Sequence, residues 1–161
     1  FGQKAFYDAM DFTAALWGPG RVSGEIIAGI EPLEDTLAAI DRIVSVGAFP
    51  TICIFRPLRG AKMQGHPPPG PDAMREVFRY LAVACRRAGL PVGIAPNLEV
   101  SLVVQPDDAL ELLNPWDPRT WIYRAKLSAM RAAAGPVLRR ALEPHPVVAP
   151  EVPVRPEVVE A

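Results

Sequence analysis

The chain has few of the residues that build metal centres, membrane spans or nucleic-acid surfaces. It contains only two cysteines and two histidines, and neither histidine has a cysteine or an acid at metal-ligand spacing. No apolar run approaches the roughly 20 residues that a membrane span needs, and no signal peptide is apparent. Basic residues are scattered or paired without interleaved aromatic residues, which argues against nucleic-acid binding. We therefore expect a cytoplasmic protein that binds neither a membrane nor a nucleic acid.

Common catalytic motifs are also absent. The sequence has no G-x-S-x-G elbow, no P-loop and no H-E-x-x-H segment. Cys53 lies in an apolar, strand-like run and Cys85 in a helical pattern, so we expect both to be free thiols in the core. The chain itself is therefore expected to hold no metal.

The composition suits one globular domain with a hydrophobic core. Half of the 161 residues are hydrophobic and the formal net charge is -1. We place this domain at residues 1–142, followed by a Pro/Val-rich tail at 143–161 that is predicted to be extended or disordered. The sequence starts at Phe1 rather than at Met, so we expect the natural N-terminus to lie upstream.

The order of apolar patterns predicts an α/β fold, α-β-α-β-α-β-α, with parallel strands. Helical periodicity alternates with short runs that are apolar on successive residues, as in strands covered on both faces. Three or four such units are too few for a closed eight-stranded barrel of roughly 250 residues. The chain is therefore either a small open α/β sheet or a partial (β/α) barrel of the TIM type. The three strand-like runs are "RVSGEIIAGI", "FPTICIF" and "LPVGIAP".

The C-terminal ends of these strands are the expected place for a ligand, because parallel α/β folds bind there. The segments are "AGIEP", "FRPLRG" and "APNLE", in which Arg56 and Asn97 offer polar groups. Glu31 is compatible with two roles. It can accept a hydrogen bond from a ribose hydroxyl, or it can cap the helix that follows.

Two of these segments resemble the fifth and sixth strands of radical S-adenosylmethionine (SAM) enzymes of the biotin-synthase-like group. "SGEIIAGIEPLEDT" is similar to the family pattern G-x-I-x-G-x-x-E, with Ala28 where the second glycine is expected and Gly29 beside it. "FPTICIFRPLRG" is similar to F-x-P-L-x-G-T, with Ala61 in place of threonine. The resemblance covers roughly residues 3 to 105. It implies these cofactor-binding residues: Gly24, Ile26, Ala28, Gly29, Glu31, Phe55, Arg56, Pro57 and Leu58.

The resemblance also implies a cofactor set that this chain cannot complete. Family members hold a [4Fe-4S] cluster with a C-x-x-x-C-x-x-C loop, which is absent here. We therefore expect the C-terminal half of a radical SAM barrel, inactive alone, whose cluster ligands lie upstream. The full-length enzyme would bind SAM, cleave it reductively with an electron from a reductant, and abstract hydrogen from a small-molecule substrate. Catalytic residues, substrate and oligomeric state are not predicted.

Two alternatives remain open. One is another (β/α)-barrel enzyme in which Arg56 and Arg59 clamp a phosphate or carboxylate at the same rim. The other is a non-catalytic α/β interaction domain whose glycines serve only as turns.

Overall fold

The computed structural model describes residues 2–92 and 110–141, which alternate between helices and strands. The elements are α1 (Gln3–Trp17), β1 (Ser23–Ala28), α2 (Leu33–Ser45), β2 (Phe49–Ile54), α3 (Pro71–Ala88) and α4 (Pro118–Ala141). In this described part, the sheet has two parallel strands and is not closed. The predicted α/β alternation is therefore confirmed, whereas a partial barrel is left as a proposal.

The third predicted strand lies largely outside the described residues. Leu90 and Val92, at its start, are buried. Residues 93–96, Asn97, His145 and the tail at 143–161 are not described.

The two strands pair in register from Ser23↔Phe49 to Ala28↔Ile54, and only one face of their sheet is covered in the described structure. Gly24 and Ile52 are buried on the face that packs against α2 and α3, whereas the Ile27 side chain on the opposite face is 52% exposed. Continuously apolar strands led us to expect cover on both faces. Helices α2 and α3 instead pack on the same side of the sheet, where residues of both helices share the main core.

The main core lies between that sheet face and the helices. Helix α3 supplies the largest share of it, including Val77 and Leu81, at the helical spacing that the sequence predicts. On α2, Ile40 is fully buried. The predicted neighbours of Ile40 at helical spacing also pack on this core: Leu33, Leu37 and Val44.

Helix α1 makes a shallower contact than its sequence suggests. The sequence places Phe6, Met10, Thr13 and Trp17 on one helical face, but Phe6 and Trp17 are 49% and 56% exposed. The buried residues of this helix are Met10 and Ala14. Met10 packs in a small second cluster with Ile43 and Ala48 rather than in the main core. A contact of this size can cover only one narrow stripe of the helix.

Polar contacts connect α1 to α2. The Arg42 guanidinium is 2.7 Å from Asp11 Oδ1 and lies 5.1 Å from the centre of the Tyr7 ring. Both partners of the ion pair are partly exposed, so it contributes little to the free energy of folding beyond fixing the helix orientation.

Helix α4 runs without interruption through Gly135 and Pro136, a pair that can break a helix. Proline removes one backbone donor and crowds the preceding turn. Here the helix nevertheless continues on both sides of it. The first half of α4 is anchored: the buried Tyr123 hydroxyl donates to Leu90 O at 2.7 Å, and Lys126 Nζ donates to Gly89 O at 2.7 Å. None of the described helices is long and apolar enough to cross a membrane.

We expect the isolated chain to self-associate, because apolar side chains are exposed on α1 and on the open sheet face. Phe12 and Leu16, one turn apart on α1, are 69% and 65% exposed. Light scattering over a concentration series should show a rising mean mass, and Phe12→Glu should lower it. Ala15→Glu adds the same charge at an exposed residue of the same helix and should have less effect. A mass that stays monomeric at all concentrations would contradict this expectation.

Candidate functional site

The two segments that resemble a SAM-binding pattern lie next to each other in the structure. The parallel register aligns Ala28, the last residue of β1, with Ile54, the last residue of β2. Phe55 N then donates to Ala28 O at 2.9 Å and extends the pairing by one bond. The strand ends therefore form one rim, made by the backbone around Gly29 and by residues 55–58.

Gly29 occupies a position that only glycine can fill without strain. Its φ is +98°, and a Cβ built there would lie 2.5 Å from Pro69 Cγ. Pro69 belongs to the loop between β2 and α3, which therefore returns over the end of β1. The same loop also contacts the end of β2, where the rings of Phe55 and His66 meet edge-to-face at 5.3 Å.

Three of the predicted residues are directed toward the helices rather than toward the rim. Ala28 is fully buried in the main core. A Cβ at Gly24 would lie 2.8 Å from Ile43 Cδ1 on α2, so this glycine allows the helix to approach the strand. Ile26 is partly buried and packs against both hydrophobic clusters. Gly24 and Ala28 can therefore meet a ligand only through their backbone.

Glu31 stands at the rim with its carboxylate available. The residue is exposed, and its carboxylate accepts no hydrogen bond from the part of the chain that the structure describes. Helix α2 begins after Pro32 without a side-chain cap, so the capping role that we considered for Glu31 is not present. An exposed carboxylate of this kind can accept hydrogen bonds from ligand hydroxyls.

The second segment presents mixed chemistry. Phe55 is buried, Pro57 is half-buried and the Leu58 side chain is 69% exposed. Arg56 and Arg59 are both exposed, as an anion clamp would require. The ends of the two strands and the residues just after them thus carry the exposed Leu58 side chain, the Glu31 carboxylate and two guanidinium groups.

A polar pair that was not predicted from the sequence lies on the open face of the sheet. Cys53 is only half-buried, and its Sγ donates to Glu25 Oε1 at 3.2 Å. Burial, and then the hydrogen bond to Glu25, raise the pKa of the Cys53 thiol from 9.0 to about 11. Cys53 is therefore not the core residue that we expected. An acid in the middle of an apolar strand was the available signal, because it required a polar partner or an open face.

Cys85 behaves as the sequence predicts. It is fully buried in the core, and burial raises the pKa of its thiol to about 12. Within residues 2–92 and 110–141, no group of three or more histidines, cysteines and acids could hold a metal ion.

Comparison with known proteins gives one relevant similarity. No protein-family model and no solved structure matches the chain. The chain is similar to bacteriochlorophyllide c C-7(1)-hydroxylase of Chlorobaculum limnaeum. The two are 30% identical over 76 residues, which is 47% of this chain and 19% of the hydroxylase. The match links the chain coarsely to the radical SAM superfamily and to enzymes, but it does not test the biotin-synthase-like group.

Proposed function

We propose that the chain is part of a radical SAM enzyme of the biotin-synthase-like group and contributes the strands that bind the adenosine of SAM. The observation that carries this proposal is the rim itself, where two motif segments end side by side on adjacent parallel strands. The similarity to the hydroxylase, a radical SAM enzyme, supports it independently of the fold.

The chemistry of the rim fits a nucleoside. The Glu31 carboxylate, which has no partner in residues 2–92 or 110–141, is suited to accept hydrogen bonds from ribose hydroxyls. Adenine needs an apolar contact and backbone groups, which Leu58 and the backbone around Gly29 and Phe55 supply. Arg56 adds a cationic group at the same edge.

The open sheet face is consistent with the interior of an incomplete (β/α) barrel. In such barrels the inward-facing side chains of the strands line the interior, below the ligand. In this proposal, Glu25, Ile27 and Cys53 face the barrel interior, and the residues nearest the rim help to form the site for a small-molecule substrate.

The [4Fe-4S] cluster does not fit this chain. Cluster ligation needs three thiolates from one loop, whereas Cys53 is on β2 and Cys85 is buried on α3. We propose that the ligands, and the surface that meets a reductant, belong to a segment outside this sequence. When bound, SAM and the cluster supply the radical chemistry for hydrogen abstraction, and this chain positions SAM and substrate.

The test is calorimetric titration of SAM into the reconstituted full-length protein that carries this chain. Glu31→Gln should weaken SAM binding by about ten- to a hundredfold, because a charge-assisted hydrogen bond of roughly 1.5 to 3 kcal/mol is lost. The fold should be unaffected, since the carboxylate makes no hydrogen bond to the described residues.

Glu34→Gln is the matched control. Glu34 is an exposed acid in the first turn of α2, and its substitution removes the same charge three residues away. Its affinity for SAM should stay near the wild-type value. Equal affinities for the wild type and Glu31→Gln would refute a ligand-binding role for Glu31, and no SAM binding by the wild type would refute the proposed function.

A further inference from the structure

A cationic cavity lies between the end of α3 and the first half of α4. Its volume is about 470 Å³, within the range of small-molecule sites. It is lined by Arg86, Arg87, Gly89, Arg119, Ile122, Tyr123 and Lys126. Helix α3 leads away from the C-terminal end of β2, so its own end lies at the opposite edge of the sheet from the rim. A Cβ at Gly20, before β1, would accordingly lie 2.8 Å from Pro91, just after α3. The cavity is therefore separate from the proposed SAM site.

The charge in this cavity is not balanced by its neighbours. Four cationic side chains line it, and Asp117, which pairs with Arg86, is the one acid in contact with them in the described structure. Four positive charges and one negative charge leave a local net charge of +3, in a chain whose formal net charge is -1. The Arg119 charge acts on the Asp117 carboxylate, but the guanidinium groups of Arg87 and Arg119 make no hydrogen bond or ion pair with residues 2–92 or 110–141.

Helix stability explains only part of this arrangement. Arg86 and Arg87 lie in the last turn of α3, where cations interact favourably with the helix dipole. Lys126 likewise donates to Gly89 O at that end. Arg119 is different, because it lies in the first turn of α4, where the helix dipole disfavours a positive charge. The acid beside it is Asp117, whose Oδ1 accepts from the Arg119 backbone N–H at 2.9 Å and whose carboxylate also pairs with Arg86. One carboxylate therefore serves two guanidinium groups at the start of α4.

The residues that line the cavity include a hydrogen-bond donor without a described partner and an exposed apolar side chain. Arg86 Nε is buried and has no partner among the described residues. The Ile122 side chain, on the cavity wall, is 71% exposed beside the ring of Tyr123. A ligand with both anionic and apolar parts would complement such walls.

We propose that this cavity binds a small molecule that carries at least two negative charges, as phosphate or carboxylate groups, on an apolar body. Arg87 and Arg119 bind the anionic groups, since guanidinium donors match phosphate and carboxylate oxygens in pairs. The exposed Ile122 side chain covers the apolar body.

The experiment is calorimetric titration of the 161-residue chain with pyrophosphate and, separately, with citrate, at constant ionic strength. Saturable binding of at least one of them is expected, with a Kd below about 1 mM. Arg87→Gln and Arg119→Gln should each weaken binding about three- to tenfold, as expected for partly exposed charge pairs. The stronger of the two ligands identifies phosphate or carboxylate as the preferred group.

Arg79→Gln is the control, because it removes the same charge from an exposed position of α3 that does not line the cavity. Its binding should match that of the wild type. The proposal is overturned if neither anion saturates the wild type, or if Arg79→Gln weakens binding as much as the cavity variants do. Thermal melts of all variants detect any folding defect. Because Arg87 and Arg119 lie on different helices and are substituted separately, a defect in one variant leaves the other as a valid test. SAM binding at the rim is independent of either outcome.

Discussion

Gly29→Ala is expected to destabilise the protein by roughly 2–5 kcal/mol, the sum of backbone strain and a steric clash. The strain arises because φ at this position is +98°, which residues with a Cβ rarely adopt. The clash arises because the new Cβ would lie 2.5 Å from Pro69 Cγ, within a proline ring that cannot rotate away. The free energy of unfolding from urea denaturation measures the effect.

Gly60→Ala separates the two causes. Gly60 has a similar φ of +81°, but no heavy atom lies within 4 Å of the position that its Cβ would take. Only strain applies there, so a loss of about 1–2 kcal/mol is expected. If both variants lost the same free energy, Pro69 would not be packed against Gly29 in the way that the structure shows. The loop would then not be fixed to the strand end that forms the rim.

Alkylation of Cys53 by iodoacetamide is expected to be about a hundredfold slower in the folded chain than in an unstructured peptide at pH 8. Only the thiolate reacts, and a pKa of about 11 instead of 9.0 lowers its fraction about a hundredfold at this pH. The rate should rise about tenfold for each pH unit between 8 and 10, since the thiol titrates above that window. Mass spectrometry of labelled peptides measures each cysteine separately.

Glu25→Gln tests the local cause of that slow reaction. Burial is the larger influence on the Cys53 pKa, and the Glu25 carboxylate raises it further through a hydrogen bond and its charge. Removing the charge should therefore speed alkylation without reaching the rate of the peptide. Cys85, fully buried, should remain unlabelled in both proteins and serves as the internal control. No change in rate would show that Glu25 does not contact the thiol in solution.

The elements were predictable where one local pattern decided the outcome. On α2, Leu33, Leu37, Ile40 and Val44 recur in the sequence at spacings of four, three and four, which predicts one buried face. Ile40, within this set, is fully buried. Gly89 after α3 adopts the left-handed conformation expected of a helix end. Such features depend on neighbours along the chain, so the sequence alone contains them.

Features that depend on distant segments were not predictable. A Cβ at Gly29 would clash with Pro69, which is forty residues away in the sequence. Glu25 accepts a hydrogen bond from Cys53 only because the strand register brings β1 and β2 together. Phe6 and Trp17 match a helical stripe, yet they are exposed because little of the protein lies against α1. The resemblance identified the two segments of the rim from the sequence. That their ends lie side by side follows only from the parallel pairing of β1 and β2 in the structure.

Because α1 buries little of its surface, it is expected to open locally more easily than the more deeply buried parts of the core. Two residues of α1 are buried, against seven on α3, and its ion pair to α2 is exposed to solvent. The free energy of local opening follows the apolar area that an element buries, so α1 is able to detach and return while the sheet and the other helices stay folded. Amide protons of α1 would then exchange with water through this partial opening, ahead of those in α3. Helix α1 is therefore expected to open more readily than α3.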